Sequence, residues 1–356
     1  MAVIDEKERG KAGRKWPLSC CGGCAVVVLV IAIAAGIFVY FMARPHPVLP
    51  VETFLSKLGS AFLVAQVDKD DAAAKALLQD YIAAQADKMP LASWVAKEGV
   101  DHAVPVQLVV SARTTGGEGE FAVSGVASAS GFVRSPSKFF LEGIAGERGK
   151  IEEYRGVEID VRQNGVCLAI VENNLMLGRD KGMIKEWVNR IQRQQKLGEG
   201  EVVPYDGPAA LKEMRGRLDP EAQVRLFSSN EHGEVKAFLG WVQQMRKEHA
   251  GAEPQWLKVF DAISAAEIDW SGVATVGATA RLLEADTADW VLLLQCADEQ
   301  AADHLRTKAV SVLGELGGRA GLAGVQTTLE GALLKVQFKT SEIRQMLPAA
   351  GKPSDN

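Results

Sequence analysis

Hydrophobic and polar positions change period repeatedly along this chain, and each change predicts an element. Ala61–Val67 (AFLVAQV) reads as a strand. Asp68, Asp70 and Asp71 follow as N-cap candidates, because a short side-chain oxygen can accept from the free N–H groups of a first helical turn. Ala74, Leu77, Leu78, Tyr81 and Ile82 then recur at i, i+3, i+4, i+7 and i+8, the spacing of one helix face. Strands are predicted near Val106–Ala112, Glu120–Val126 and Phe139–Ile144. Val157–Val161 and Val166–Val171 flank a turn at Asn164-Gly165, a pair suited to the positive φ of hairpin turns. Asn173-Asn174 marks another turn, leading to Leu175–Leu177. A helix with Ile184, Trp187, Val188 and Ile191 on one face closes this first region.

Residues 196–220 are rich in Gly, Pro and charge and read as a connection with room for one short helix. A second region repeats the grammar of the first. A strand at Val224–Ser228 precedes a helix carrying Val235, Phe238, Leu239, Val242 and Met245, then a shorter helix near Trp256–Ile263. Strands at Ala265–Trp270, Ala274–Glu284 and Trp290–Cys296 follow. The next helix buries Ala302, Leu305, Ala309, Val312 and Leu316. A hairpin joins Val325–Leu329 to Leu333–Lys339 through Glu330-Gly331, with Leu334, Val336 and Phe338 alternating with polar positions. The pattern predicts an α+β class: a two-lobed body, with an internal duplication suggested, of antiparallel sheets packed by helices. The lobes are expected at 53–195 and 221–347, joined by 196–220 and followed by a polar tail at 348–356.

One segment has no period at all. Ala25–Ala43 reads AVVVLVIAIAAGIFVYFMA without a charge. As a helix it would span roughly 28 Å, near the thickness of a bilayer's hydrocarbon core. Lys7, Arg9, Lys11, Arg14 and Lys15 precede it, whereas Arg44 is the only near cation after it. The expectation is a single-pass span at 24–43 in a bacterial inner membrane, with a cytoplasmic tail at 1–23 and an extracytoplasmic body. Bulky Tyr40, Phe41 and Met42 argue against a cleaved leader. A Pro-rich spacer fills 44–52. Ala32-x-x-x-Gly36 permits a homodimer through the span.

Composition adds exclusions. The chain has 356 residues, 47% hydrophobic and 24% charged, which places it with folded proteins. A formal net charge of −5 argues against a nucleic-acid partner, which needs a basic face. Cys21-Gly22-Gly23-Cys24, with Cys20 beside it, has redox or zinc spacing but no βαβ context and no further ligands. Juxtamembrane cysteines are also S-acylation sites. Cys167 and Cys296 lie in apolar strands, free or bridged.

Histidines at 46, 102, 232, 249 and 304 form no H-x-x-x-H spacing. There is no G-x-S-x-G, and Gly116-Gly117-Glu118-Gly119 lacks a P-loop lysine. The serines at 124, 128, 130, 135 and 137 suit turns and edges. Asp286, Asp289 and Asp298 suit turns and a cap. No catalytic, cofactor-binding or metal residue is assigned, and no cofactor is expected.

Tyr154-Arg155-Gly156-Val157-Glu158-Ile159, the Asn-Gly turn, and Asn174-Leu175-Met176-Leu177-Gly178 before a helix carry a family resemblance. So does Ala61–Asp71. These stretches resemble a group of uncharacterised bacterial envelope-anchored proteins known as domains of unknown function. The resemblance implies a two-lobed α+β body and transfers no catalytic residue. The expected role is a non-enzymatic binding or scaffold module of the envelope, engaging the bilayer through 24–43 and an envelope protein partner. The alternative is a carrier or sensor of a lipid or other apolar ligand. A hydrolase assembled from scattered Ser, Asp and His ranks last.

Overall fold

The computed structural model describes residues 47–83, 100–114, 121–130, 149–240, 268–284, 286–317 and 322–341. Its strands are β1 (Ala61–Val67), β2 (Val106–Thr114), β3 (Phe121–Ala129), β4 (Lys150–Tyr154), β5 (Val157–Val161) and β6 (Cys167–Val171). Then come β7 (Asn174–Gly178), β8 (Val224–Ser229), β9 (Val273–Glu284), β10 (Thr287–Cys296), β11 (Leu322–Glu330) and β12 (Leu333–Ser341). The helices are α1 (Ala72–Ala83), α2 (Val100–Ala103), α3 (Lys181–Gln194), α4 (Ala209–Arg217) and α5 (Glu299–Gly317). A 3-10 turn, Val51–Phe54, opens the body.

All 12 strands join one antiparallel sheet in the order β11-β12-β10-β9-β8-β1-β2-β3-β7-β6-β5-β4. This corrects the two-lobed α+β expectation: the molecule is mostly sheet, and both predicted regions build the same one. The joint is β1 against β8, in register from Ala61↔Ser228 to Ala65↔Val224. Each strand turns a large aromatic to the same face, and pairing satisfies backbone groups that two separate sheets would leave unpaired at their edges. Periodicity reports which face of a strand is apolar but not which strand lies beside it. From the β1/β8 centre the sheet runs outward as β1-β2-β3-β7-β6 on one side and β8-β9-β10-β12-β11 on the other, with β5 and β4 extending the first.

Cross-strand partners share a face, so the pairing defines rows. One row runs Ile159, Ala169, Met176, Val126, Val109 and Val64 across six strands, all buried. Helix α3 closes over this face. Its Asp180 cap accepts from Met183 N at 3.1 Å, and it buries Met183, Ile184, Trp187, Val188 and Ile191 as the helical spacing predicts. The opposite face of the other half is covered by α5. Ala302, Leu305 and Val312 pack there with Val276, Leu294, Leu334 and Val336. Asp298 caps α5 by accepting from Ala301 N at 2.8 Å, and Asp71 caps α1 by accepting from Ala74 N at 2.9 Å.

The turns use residues that tolerate positive φ. Arg155 (52°) and Gly156 (78°) close β4 onto β5, and Gly165 (79°) lies in the predicted turn between β5 and β6. Strand β4 itself was not expected, because Lys150–Tyr154 (KIEEY) lacks an apolar alternation.

No helix among the described residues is long and apolar enough to cross a membrane. The longest, α5, has 19 residues but carries Glu299, Asp303, Arg306 and Lys308, charges that a bilayer core rejects. The single-pass, inner-membrane reading is therefore withdrawn; residues 24–43, on which it rested, lie outside the described residues. The predicted strand at Phe139–Ile144, the helix near Trp256–Ile263, the Gly36 motif and Cys20, Cys21 and Cys24 lie outside them as well.

Candidate functional site

The apolar row under α3 ends abruptly at the centre of the sheet. Past Val64 its next member, on β8, is Arg225, followed by Thr279 on β9. A cation in the middle of a covered sheet face is unusual, since a buried charge needs a partner or access to water. Here it borders a cavity of about 570 Å3.

The floor is apolar. Phe62 and Phe227, opposite one another on β1 and β8, stack at 5.2 Å between centroids and 29° between planes. Tyr205 packs edge-on against both, at 5.8 Å and 6.4 Å. Val64, Phe227 and Leu218 face the cavity. The walls are α4, the 3-10 turn and the extended segment 202–206, with Val202 39% exposed at the rim. Helix α4 sits close on the sheet because Gly277 of β9 lacks a side chain; a Cβ there would lie 2.5 Å from Met214 Sδ.

Helix α3 fastens two of these walls, the 3-10 turn and segment 202–206, from outside the cavity. The buried guanidinium of Arg190 donates from Nε to Thr53 O (3.0 Å) and from Nη2 to Glu52 O (3.0 Å) and Pro204 O (2.8 Å). Its Nη1 meets Asp206 Oδ1 at 3.1 Å. Trp187 Nε1 donates to Phe54 O at 2.7 Å. One turn on, Gln194 Oε1 accepts from Val203 N at 2.8 Å while its Nε2 donates to Glu201 O at 2.7 Å. Burial lowers the pKa of Arg190 from its ordinary value, opposed chiefly by Asp206.

Electrostatically the cavity is positive. Lys212, Arg215 and Arg225 line it against a single carboxylate, Glu52, which pairs with Arg215. Arg225 Nη2 donates to Gln66 Oε1, and its Nε is buried with no hydrogen-bond partner among the described residues. Burial lowers the pKa of Arg225 most, and neighbouring Arg215 adds to the effect, with Glu52 opposing it. The Tyr205 hydroxyl, also buried and unpartnered among the described residues, is pushed up by burial.

Nothing in the sequence singled out these residues. The signals were an arginine at a core-facing position of a strand (Val224–Ser229) and three cations in nine residues of α4, in a stretch read as a connection. Residues that sequence inspection weighed for chemistry stand elsewhere. Cys167 and Cys296 are both free and buried, and burial raises both thiols. Ser128 Oγ donates to Asn174 Oδ1 at 2.5 Å, a structural bond between β3 and β7. His304 lines a second cavity of about 320 Å3 with Asp269 and Asp298. Among the described residues no group of three His, Cys, Asp or Glu could hold a metal ion. His46 and His249 fall outside the described residues, as do the side chains of Asp101 and His102.

No protein family matches the chain, and none of the curated proteins does. Among solved structures, crystal form III of TP0453 is similar with a TM-score of 0.45 and 9% identity, over 85% of this chain and 98% of that one. Crystal form I gives 0.42 and 10%, over 84% and 95%. Similarity at that level carries no function across.

Proposed function

We propose that the protein is a non-enzymatic binding module and that its ligand occupies the cavity above β1 and β8. One observation carries the reading. The volume of about 570 Å3 falls within the range of small-molecule sites, and it combines an apolar floor with a few convergent polar groups. The bonding of α3 to two of the three walls, the 3-10 turn and segment 202–206, supports it, since a preformed site loses less freedom on binding. The proposal takes up the carrier-or-sensor reading drawn from the sequence in narrower form: apolar surface is offered, but beside charge.

Gly216 provides the test. It lines the cavity, and a Cβ added there meets nothing within 4 Å. A phenylalanine at that helical position should fill the space without disturbing the fold. Gly216→Phe is expected to weaken saturable binding of a neutral apolar fluorophore, Nile red, by about tenfold or more while leaving the thermal midpoint unchanged or raised. Equal binding by both proteins would remove the cavity as the site.

A further inference from the structure

The cavity's cations narrow the ligand class. Among the described residues Glu52 pairs with Arg215, and no carboxylate pairs with Arg225 or Lys212. Arg225 stands opposite Val64 in the β1/β8 register, so its charge rises from the same floor that Phe227 and Val64 make apolar. Two guanidiniums and an ammonium share this space with one lining carboxylate, Glu52, while Asp219 and Asp68 act on Arg225 only at longer range, so the lining keeps an excess of positive charge that an anion would offset. The Nε of Arg225 has no hydrogen-bond partner among the described residues, and the guanidinium lines the cavity. Donors of this kind form short, strong bonds to carboxylate or phosphate oxygens, and a guanidinium can offer two in parallel. Of the rest of the cavity wall, Val51, Leu218 and Phe227 are apolar, and Tyr205 brings one further polar group, its buried hydroxyl.

We propose that the cavity takes an amphipathic anion: a carboxylate or phosphate-ester head between Arg225 and Arg215, with its apolar part on Val64, Phe227 and Leu218. This rests on the binding reading above. A head entering there competes with Glu52 for Arg215 and releases that carboxylate toward the rim. An uncharged amphiphile leaves the Glu52–Arg215 pair in place and gains only the floor. Inorganic phosphate gains only the cations.

Calorimetric titration of the full chain with four probes separates the parts: decanoate, decyl phosphate, decanol and inorganic phosphate. Decanoate and decyl phosphate are expected to bind roughly tenfold or more tightly than either decanol or inorganic phosphate. Arg225→Gln should remove the preference of decanoate and decyl phosphate over decanol. Lys212→Gln, at the exposed edge, should reduce it less, and raising the salt concentration should weaken decanoate but not decanol. Should Arg225→Gln fail to fold, Lys212→Gln and the salt series still decide the question.

Decanol binding as tightly as decanoate, in a manner blocked by Gly216→Phe, would overturn the anion assignment and leave the binding cavity standing. Inorganic phosphate binding as tightly as decyl phosphate would overturn the amphipathic assignment. If no probe binds in a way that Gly216→Phe blocks, the binding reading itself fails.

Discussion

Helices α3 and α5 both lie on the sheet, yet they are built differently. α5 is held by side chains that slot into the apolar face of β9, β10 and β12, with Glu299, Asp303 and Arg306 exposed. α3 buries an apolar stripe too, but it also spends Trp187, Arg190 and Gln194 on backbone groups of distant segments. Those segments are two of the cavity walls. An apolar layer tolerates adjustment, since Leu or Val can shift with small loss, whereas a guanidinium with four partners fixes each of them in direction as well as distance. The contrast shows where this molecule is merely packed and where it is positioned.

Breaking that contrast should have its largest effect at Arg190. Arg190→Met leaves Thr53 O and Pro204 O without this donor and takes one of two from Glu52 O and Asp206, which keep Leu55 N and Lys57 N; losing these charge-assisted bonds is expected to cost about 3–5 kcal/mol, with decanoate binding abolished. Urea unfolding followed by titration of whatever remains folded would check both. Leu305→Ala on α5 should cost a comparable 2–4 kcal/mol or so but leave ligand affinity within twofold or so of the parent. A matching loss of affinity would mean the two regions are not independent. Gly277→Val sits between them, because its side chain must displace Met214 and Leu218. It should cost about 1–3 kcal/mol and weaken binding by moving α4, which thermal melts and titration together would show.

The smallest effect concerns pH. Lys181 bonds to Glu152 at 3.0 Å and lowers its pKa below 4.5, with Lys185 helping. A lowered folded-state value means that the carboxylate's contribution is present above the unfolded value and is lost as pH falls through the folded one. Glu152→Gln should therefore bring the urea midpoints at pH 7 and pH 3 slightly closer together. Unchanged spacing would show that the exposed pair contributes nothing.

Local features were legible in the sequence because they depend on neighbours in the chain. Asp71 and Asp298 cap helices, Ile184 to Ile191 form a buried stripe, and Leu334 and Val336 face the core. The meeting of β1 with β8 was not legible, since nothing within AFLVAQV or VRLFSS names a partner far away in the chain. β4 was missed because an edge strand with Ile151 57% exposed needs no apolar alternation. The site was missed for a related reason. Arg225 and Arg215 become a pair only through the fold, and periodicity treats an isolated arginine in a strand as a solvent-facing position. The apolar run at 25–43 shows the converse: a strong local signal led to a span and a location that no described helix supports.

The pairing at the centre of the sheet also sets an order on synthesis. β1 ends at residue 67 and its second neighbour, β8, begins at residue 224. At a ribosomal rate of roughly 5–20 residues per second, about 8–30 s pass between them. For that interval one edge of β1 lacks its strand partner and the ring of Phe62 lacks Phe227, against which it stacks. The nascent chain therefore carries an open strand edge from early in synthesis, and its yield in a cell depends on what shields that edge until β8 arrives.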